Sequence, residues 1–215
     1  MLGVTARFLR GGRSLSRIVM AVASLLALVG VALIAQGATI HAKAILAQIL
    51  LERAFDRSLA SGEPVKPWSW ADTWPVARIE VPRIGASAIV LKGGSGEALA
   101  FGPGLLDGTP APGEAGSSVI AAHRDTHFGF LRDVRPGDQI RVTRGDGAIY
   151  WFRIADAQVV HWDASGIDVH EDGHWLVLST CWPLDAAAPG DLRYVVRAQM
   201  VGRQITGDLL ATAPL

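Results

Sequence analysis

Cys181 is the only cysteine among 215 residues, and it ends an apolar run, Trp175-Leu-Val-Leu-Ser-Thr-Cys181, in a chain that reads as exported. A lone thiol outside the cytoplasm has no internal disulfide partner, which leaves it inert and buried, paired with another molecule, or kept as a nucleophile. A nucleophilic thiol needs activation, because free cysteine titrates near about 8.5 and only a minor fraction is thiolate at neutral pH. A histidine that accepts its proton or pairs with the thiolate meets that need. Acyl transfer further requires positive or hydrogen-bond donor groups where the oxyanion develops.

Of the six histidines, His41 adjoins a long apolar stretch, and His161, His170 and His174 sit among acidic residues in a region that reads as loop. His123 differs, because it follows the apolar run Val119-Ile-Ala-Ala122 and opens the cluster His123-Arg124-Asp125-Thr126-His127. A residue at the end of a buried strand is held rigidly while its side chain reaches the surface, a placement that suits catalysis. A structural histidine fits the same pattern. His127 begins a loop or short helix and is the second choice. Arg193 starts the strand-like Arg193-Tyr-Val-Val-Arg197 after an eleven-residue loop that follows Cys181, long enough for two strands to lie side by side. Arg197 shares its strand face but stands roughly 13 Å further along at strand rise, so Arg193 is the preferred donor.

Elements that position these residues follow from the rest of the chain. The 20 basic and 20 acidic side chains cancel, so no charge excess points to nucleic acid. Arg7, Arg10, Arg13 and Arg17 nevertheless precede the first acidic residue, Glu52, and stand before a stretch from Ile18 to Ile40 without a charged residue. At helical rise that stretch covers roughly the 30 Å hydrocarbon core of a bilayer. The positive-inside rule then sends everything after residue 41 to the outer face. A cleaved signal peptide, with Ala35 and Gly37 near the cleavage point, is the competing reading, and it gives the same compartment.

From His41 to Leu59 the apolar spacing is helical, and Ser61-Gly-Glu-Pro64 ends it. Trp68, Trp70 and Trp74 follow, suited to packing a linker or lying at a membrane interface, with substrate contact as the alternative. Seven strand-like runs are predicted: Val76 to Val81, Ser87 to Leu91, Ser118 to Ala122, Gln139 to Thr143, Ile149 to Ala155, Trp175 to Thr180, and Arg193 to Val201. Asp146-Gly147 marks a hairpin, and Gly94 to Leu106 and Phe128 to Val134 each have room for a short helical turn. Many short strands with little helix imply a mainly β fold, a closed or nearly closed barrel. The expected organisation is a basic tail (1–17), a membrane signal-anchor (18–40), a helical stalk and Trp/Pro-rich linker (41–75), a catalytic domain (76–203) and a C-terminal tail (204–215).

The order His123, then Leu178-Ser-Thr-Cys181, then Arg193 resembles the sortase family, whose signature is a Thr-Leu-X-Thr-Cys strand with an upstream histidine and a downstream arginine. The resemblance spans residues 76–201. The block Ala122 to Phe128 is similar to the histidine loop of class C, D and E sortases, and Cys181-Trp-Pro183 with Arg193-Tyr-Val-Val196 to their cysteine-to-arginine segment. Pro67-Trp-Ser-Trp-Ala-Asp-Thr-Trp-Pro75 resembles the segment before the barrel in the class GN sortases of Gram-negative proteobacteria. Val177 departs from the signature, which usually has Thr there.

This resemblance implies an eight-stranded sortase barrel on an N-terminal signal-anchor in the cytoplasmic membrane, with the catalytic domain extracytoplasmic. It implies a cysteine transpeptidase acting on a protein with a C-terminal, Leu-Pro-X-Thr-Gly-like sorting signal and passing it to an amine acceptor or water. Cys181 would be the nucleophile, His123 the acid and base, Arg193 the oxyanion or backbone donor, and Thr180 an oxyanion-side neighbour in contact with substrate. No organic cofactor is implied. Some members bind calcium, but this sequence shows no compact acidic cluster for it. Two other readings are an L,D-transpeptidase, whose cysteine is framed by Ser-X-Gly-Cys, and a non-catalytic membrane-tethered β-domain with Cys181 merely buried.

Overall fold

The computed structural model describes residues 5–186, 188 and 190–204, with side chains from residue 16 onward. Residues 1–4 of the basic tail and all but Gln204 of the C-terminal tail lie outside the described residues. The chain divides into two compact units, Met1–Leu46 and Ala47–Leu215.

The first unit is helical, formed by most of α1 (Thr5–Ser61). Its apolar stretch has a mean hydropathy of 2.8 over 18 residues, with none of that window buried inside the protein. Ile18, Leu26 and Ile34 are all exposed. An all-round apolar helix with no protein cover is what a bilayer core accepts, so this helix is a candidate membrane anchor.

In the second unit, the last turns of α1 bury Leu51 and Phe55 against Ile89 and Leu91. Arg78 pairs with Glu52, and its guanidinium lies 5.0 Å from the centre of the Phe55 ring. Residues 47–75, expected to be stalk and linker, thus lie in the same unit as the strands. The strands are β1 (Pro75–Val81), β2 (Ala86–Lys92), β3 (Gly104–Leu105), β4 (Gly116–Ala121), β5 (Gln139–Arg144), β6 (Ile149–His161), β7 (His174–Cys181) and β8 (Leu192–Gln204). They close into a barrel in the order β1-β2-β3-β4-β7-β8-β6-β5, as a sequence of short alternating strands requires if no long edge is to stay open. The pairs β2–β3 and β4–β7 are parallel and the others antiparallel.

Alternation sets the core. Ile120, Leu176, Leu178 and Val196 point into the barrel with Phe128, Leu131, Ile140 and Phe152. On the outside of the same strands Val119, Val177 and Val195 form a second cluster, covered by Ile167 and Val169 from the β6–β7 loop. Each such valine contributes about 1.5 kcal/mol or more when fully buried. That double burial is why the run before Cys181 is apolar at consecutive positions.

Two expectations about elements change. The segment Gly94 to Leu106 holds both a short helix, α2 (Gly96–Phe101), and the two-residue β3. The backbone at Gly104 passes so near Gly93 that an added Cβ would lie 2.2 Å from the Gly93 carbonyl oxygen. Finally, His161 ends β6 and His174 opens β7, so neither belongs to a loop as predicted, because the ladder with β8 carries β6 to His161↔Leu192.

Candidate active site

Two ladders bring the chemistry-bearing residues together. In the parallel pair β4–β7, Ala121 is level with Ser179. Ala122 N–H donates to the Ser179 carbonyl at 3.2 Å, and the Thr180 hydroxyl donates to the Ala122 carbonyl at 2.7 Å. Past the end of β4 the chain runs on into His123, which joins Cys181 in lining one cavity. In the antiparallel pair β7–β8, Cys181 stands directly opposite Arg193. The next pair is bonded through Trp182 N–H to the Leu192 carbonyl at 3.0 Å. Cys181 and Arg193 therefore occupy a non-hydrogen-bonded position, where facing Cα atoms are about 4.5 Å apart and side chains come closest.

The three residues line one cavity of about 210 Å³, walled by Leu99, Ala121 and Ser179. His123 is exposed, and Cys181, a free thiol, and Arg193 are half-buried. Arg193 Nη1 donates to the carbonyls of Gly190 and Leu192 at 2.8 and 2.9 Å, which turns the guanidinium along the start of its strand. A cleft of about 300 Å³ beside Trp74 and Arg144 is roomier. It holds neither a thiol nor a histidine, so the chemistry belongs to the smaller cavity.

Arg197 takes a different place. It stands opposite Val177, pairs with Glu171 at 2.6 Å and lies 4.6 Å from the centre of the Trp175 ring. Glu171 also accepts from the Ser117 hydroxyl, which fastens the β6–β7 loop to β4 and β8. Gly116 lets that loop approach: its φ is +100°, and a Cβ there would lie 2.3 Å from the Val169 carbonyl oxygen. Among the described residues no three His, Cys, Asp or Glu side chains are grouped as a metal ion would need. Thr180 is 3 % exposed, and its hydroxyl is spent on Ala122, so it ties the histidine's strand to the cysteine's.

Sequence reasoning missed two neighbours, Leu99 and Arg124. Leu99 reaches the cavity from α2, whose N-terminus is capped by the Ser95 hydroxyl accepting from Ala98 N–H at 3.1 Å. Arg124 is buried, and its Nη2 donates to the Ala188 carbonyl at 2.5 Å, joining the histidine loop to the loop after the thiol. His127, the second-choice histidine, is half-buried and does not line this cavity. Burial pushes its ring below the usual histidine range, opposed by a hydrogen bond to the Ala100 backbone and aided by repulsion from His123. Only the Ser95 cap left a local signal, Ser-Gly-Glu before apolar residues.

The barrel is similar to known proteins in sequence and in fold. The family model described as "Sortase domain" matches residues 79–201. Sortase D of Bacillus subtilis (strain 168) is 28 % identical over 124 residues, covering 57 % of this chain and 62 % of the relative. The chain thus spans about three fifths of that relative's length. Among solved structures, sortase A from Corynebacterium diphtheriae is similar at a TM-score of 0.55 with 28 % identity, covering 62 % of this chain and 63 % of that one. A Clostridium perfringens sortase D5 transpeptidase, at 22 % identity and a TM-score of 0.57, shares the fold over 73 % of this chain and 99 % of its own.

Proposed function

Because the chain belongs to the sortase family, we propose that it is a membrane-anchored cysteine transpeptidase that cleaves a C-terminal, Leu-Pro-X-Thr-Gly-like sorting signal and transfers the protein to an amine acceptor or to water. The observation that supports this reading is the convergence of Cys181, Arg193 directly opposite it on β8, and His123 just past the end of β4 around one cavity.

In this mechanism the Cys181 thiol passes its proton to His123 and Sγ attacks the carbonyl carbon of the scissile peptide bond. A C–S bond forms, the carbonyl oxygen takes the negative charge, and Arg193 lies beside the thiol to donate to it or to the substrate backbone. Collapse breaks the C–N bond, with His123 giving its proton to the departing amine. The acceptor amine then attacks the thioester, its proton passes to His123, and the C–S bond breaks as His123 hands that proton to the sulfur, returning the thiol. Water in place of the amine gives a free carboxylate. No organic cofactor enters any step. The N-terminal apolar helix supports an anchor in the cytoplasmic membrane, with the barrel on the extracytoplasmic side. The test is incubation of the full chain with a sorting-signal peptide and an amine. A new amide between them, absent with Cys181→Ala, is the expected result. Intact peptide after prolonged incubation with folded protein counts against this reading.

A further inference from the structure

One wall of the cavity is held from outside the barrel. Leu99 lies on α2, a helix of six residues, and a helix that short is not stable alone. At about 100° per residue, Leu99 and Phe101 lie on opposite sides of α2. Leu99 faces the cavity, whereas Phe101 faces the segment that precedes the barrel.

Three elements grip Phe101. Gln48 Nε2, on α1, donates to its carbonyl at 2.8 Å. The Trp68 ring meets its ring edge-on, 5.1 Å between centroids. Its side chain packs into the cluster of Leu51, Phe55, Ile89 and Leu91. Trp70, two residues from Trp68, is by contrast 83 % exposed, so the contact belongs to Trp68 and is not a general stickiness of the linker.

We propose that Gln48, Trp68 and Phe101 are positioning residues which, acting through α2, set the Leu99 wall of the cavity, and hence that residues 47–75 form part of the substrate-binding apparatus. This rests on the transpeptidase reading above. The brace decides how a sorting-signal side chain is received, while the thiol and arginine stay on β7 and β8 and the histidine just past β4, outside the brace.

The test uses the full-length chain with Trp68→Leu, Trp68→Phe and Gln48→Ala. Trp68→Leu is expected to raise KM for the sorting-signal peptide about fivefold with kcat changed less than about twofold, Trp68→Phe to restore most of the affinity because an aromatic edge remains, and Gln48→Ala to raise KM about twofold. The rate of Cys181 alkylation by iodoacetamide, which needs no cavity wall, stays as in wild type. Amide hydrogen exchange of residues 96–101 is faster in Trp68→Leu than in wild type, with β4 and β7 unchanged. Unchanged exchange in α2 overturns the proposal, as does a lower melting temperature with KM unaltered. If the wild-type chain forms no thioester with the peptide, the transpeptidase reading fails, and the exchange result alone still decides whether the brace holds α2.

Discussion

The outer side of the β4, β7 and β8 sheet carries two polar rows, each with one arginine of β8, with opposite outcomes. At the upper row His123, Cys181 and Arg193 surround an open cavity, and Arg193 donates only to backbone carbonyls. At the lower row Ser117, Glu171, Trp175 and Arg197 close on one another, and the β6–β7 loop shuts over the valines between. Register, and not residue type, separates an arginine beside the thiol from one held in an ion pair. The guanidinium opposite Val177 is neutralised by a carboxylate, whereas the guanidinium opposite Cys181 is left to serve another group.

The comparison breaks most visibly at the two arginines. Arg193→Lys is expected to lower turnover about 100-fold, since the planar fork of donors is lost while charge is kept. Arg197→Lys should leave turnover of the folded enzyme within about twofold and lower the melting temperature by about 2–4 °C, as befits a half-buried pair worth on the order of 1 kcal/mol. Steady-state kinetics beside thermal melts of both variants decide it. Equal losses of turnover would erase the distinction between the rows.

A smaller effect is expected at the seam that aligns the upper row. Thr180→Val removes the donor to the buried Ala122 carbonyl and should cost about 1–2 kcal/mol. Because that bond ties the histidine's strand to the cysteine's, turnover should fall along with stability. Urea unfolding together with kcat measures both, and a stability loss without any change in kcat would make the bond purely architectural.

Smaller still are two pH effects away from the thiol. Burial holds the His127 ring below the ordinary histidine range, so the unfolded chain binds this proton more readily than the folded one. Stability contributed here is present above the unfolded value of about 6.5 and falls as pH drops below it. His127→Gln should flatten the loss of melting temperature between about pH 7 and 5. The opposite sign holds for a carboxylate: Asp138, gripped by Arg83 at 2.5 and 2.7 Å and by Arg135 N–H at 2.8 Å, is held below the usual carboxylate range. Its contribution is present above about pH 4 and lost as pH falls through the folded value. Asp138→Asn should melt below wild type at pH 6, with the gap closing in stronger acid.

Much of this layout was legible in the residues. Apolar alternation marked seven of the eight strands because their inward residues must be buried. The thiol and its arginine were placed by the run before Cys181 and by the length of the loop after it. What was not legible depends on distant partners. β3 is two residues long and exists because Gly104 lets the backbone pass Gly93. Arg124 gains meaning only from the Ala188 carbonyl, His127 from Ala100, and Leu99 from a helix fixed by Trp68. Val177, a departure from the family signature, sits in the covered valine cluster four positions before the thiol, where a branched apolar side chain packs well.

The central claim is that Cys181 forms a covalent acyl bond while flanked by His123 and Arg193. Its most direct test is intact-mass spectrometry of the full-length chain quenched in acid seconds after mixing with a sorting-signal peptide. The account predicts a mass increase equal to the acyl part of the peptide, mapped to Cys181, removed by hydroxylamine and absent in Cys181→Ala. A folded wild-type chain that turns the peptide over with no such adduct, or with the adduct on another residue, would contradict it.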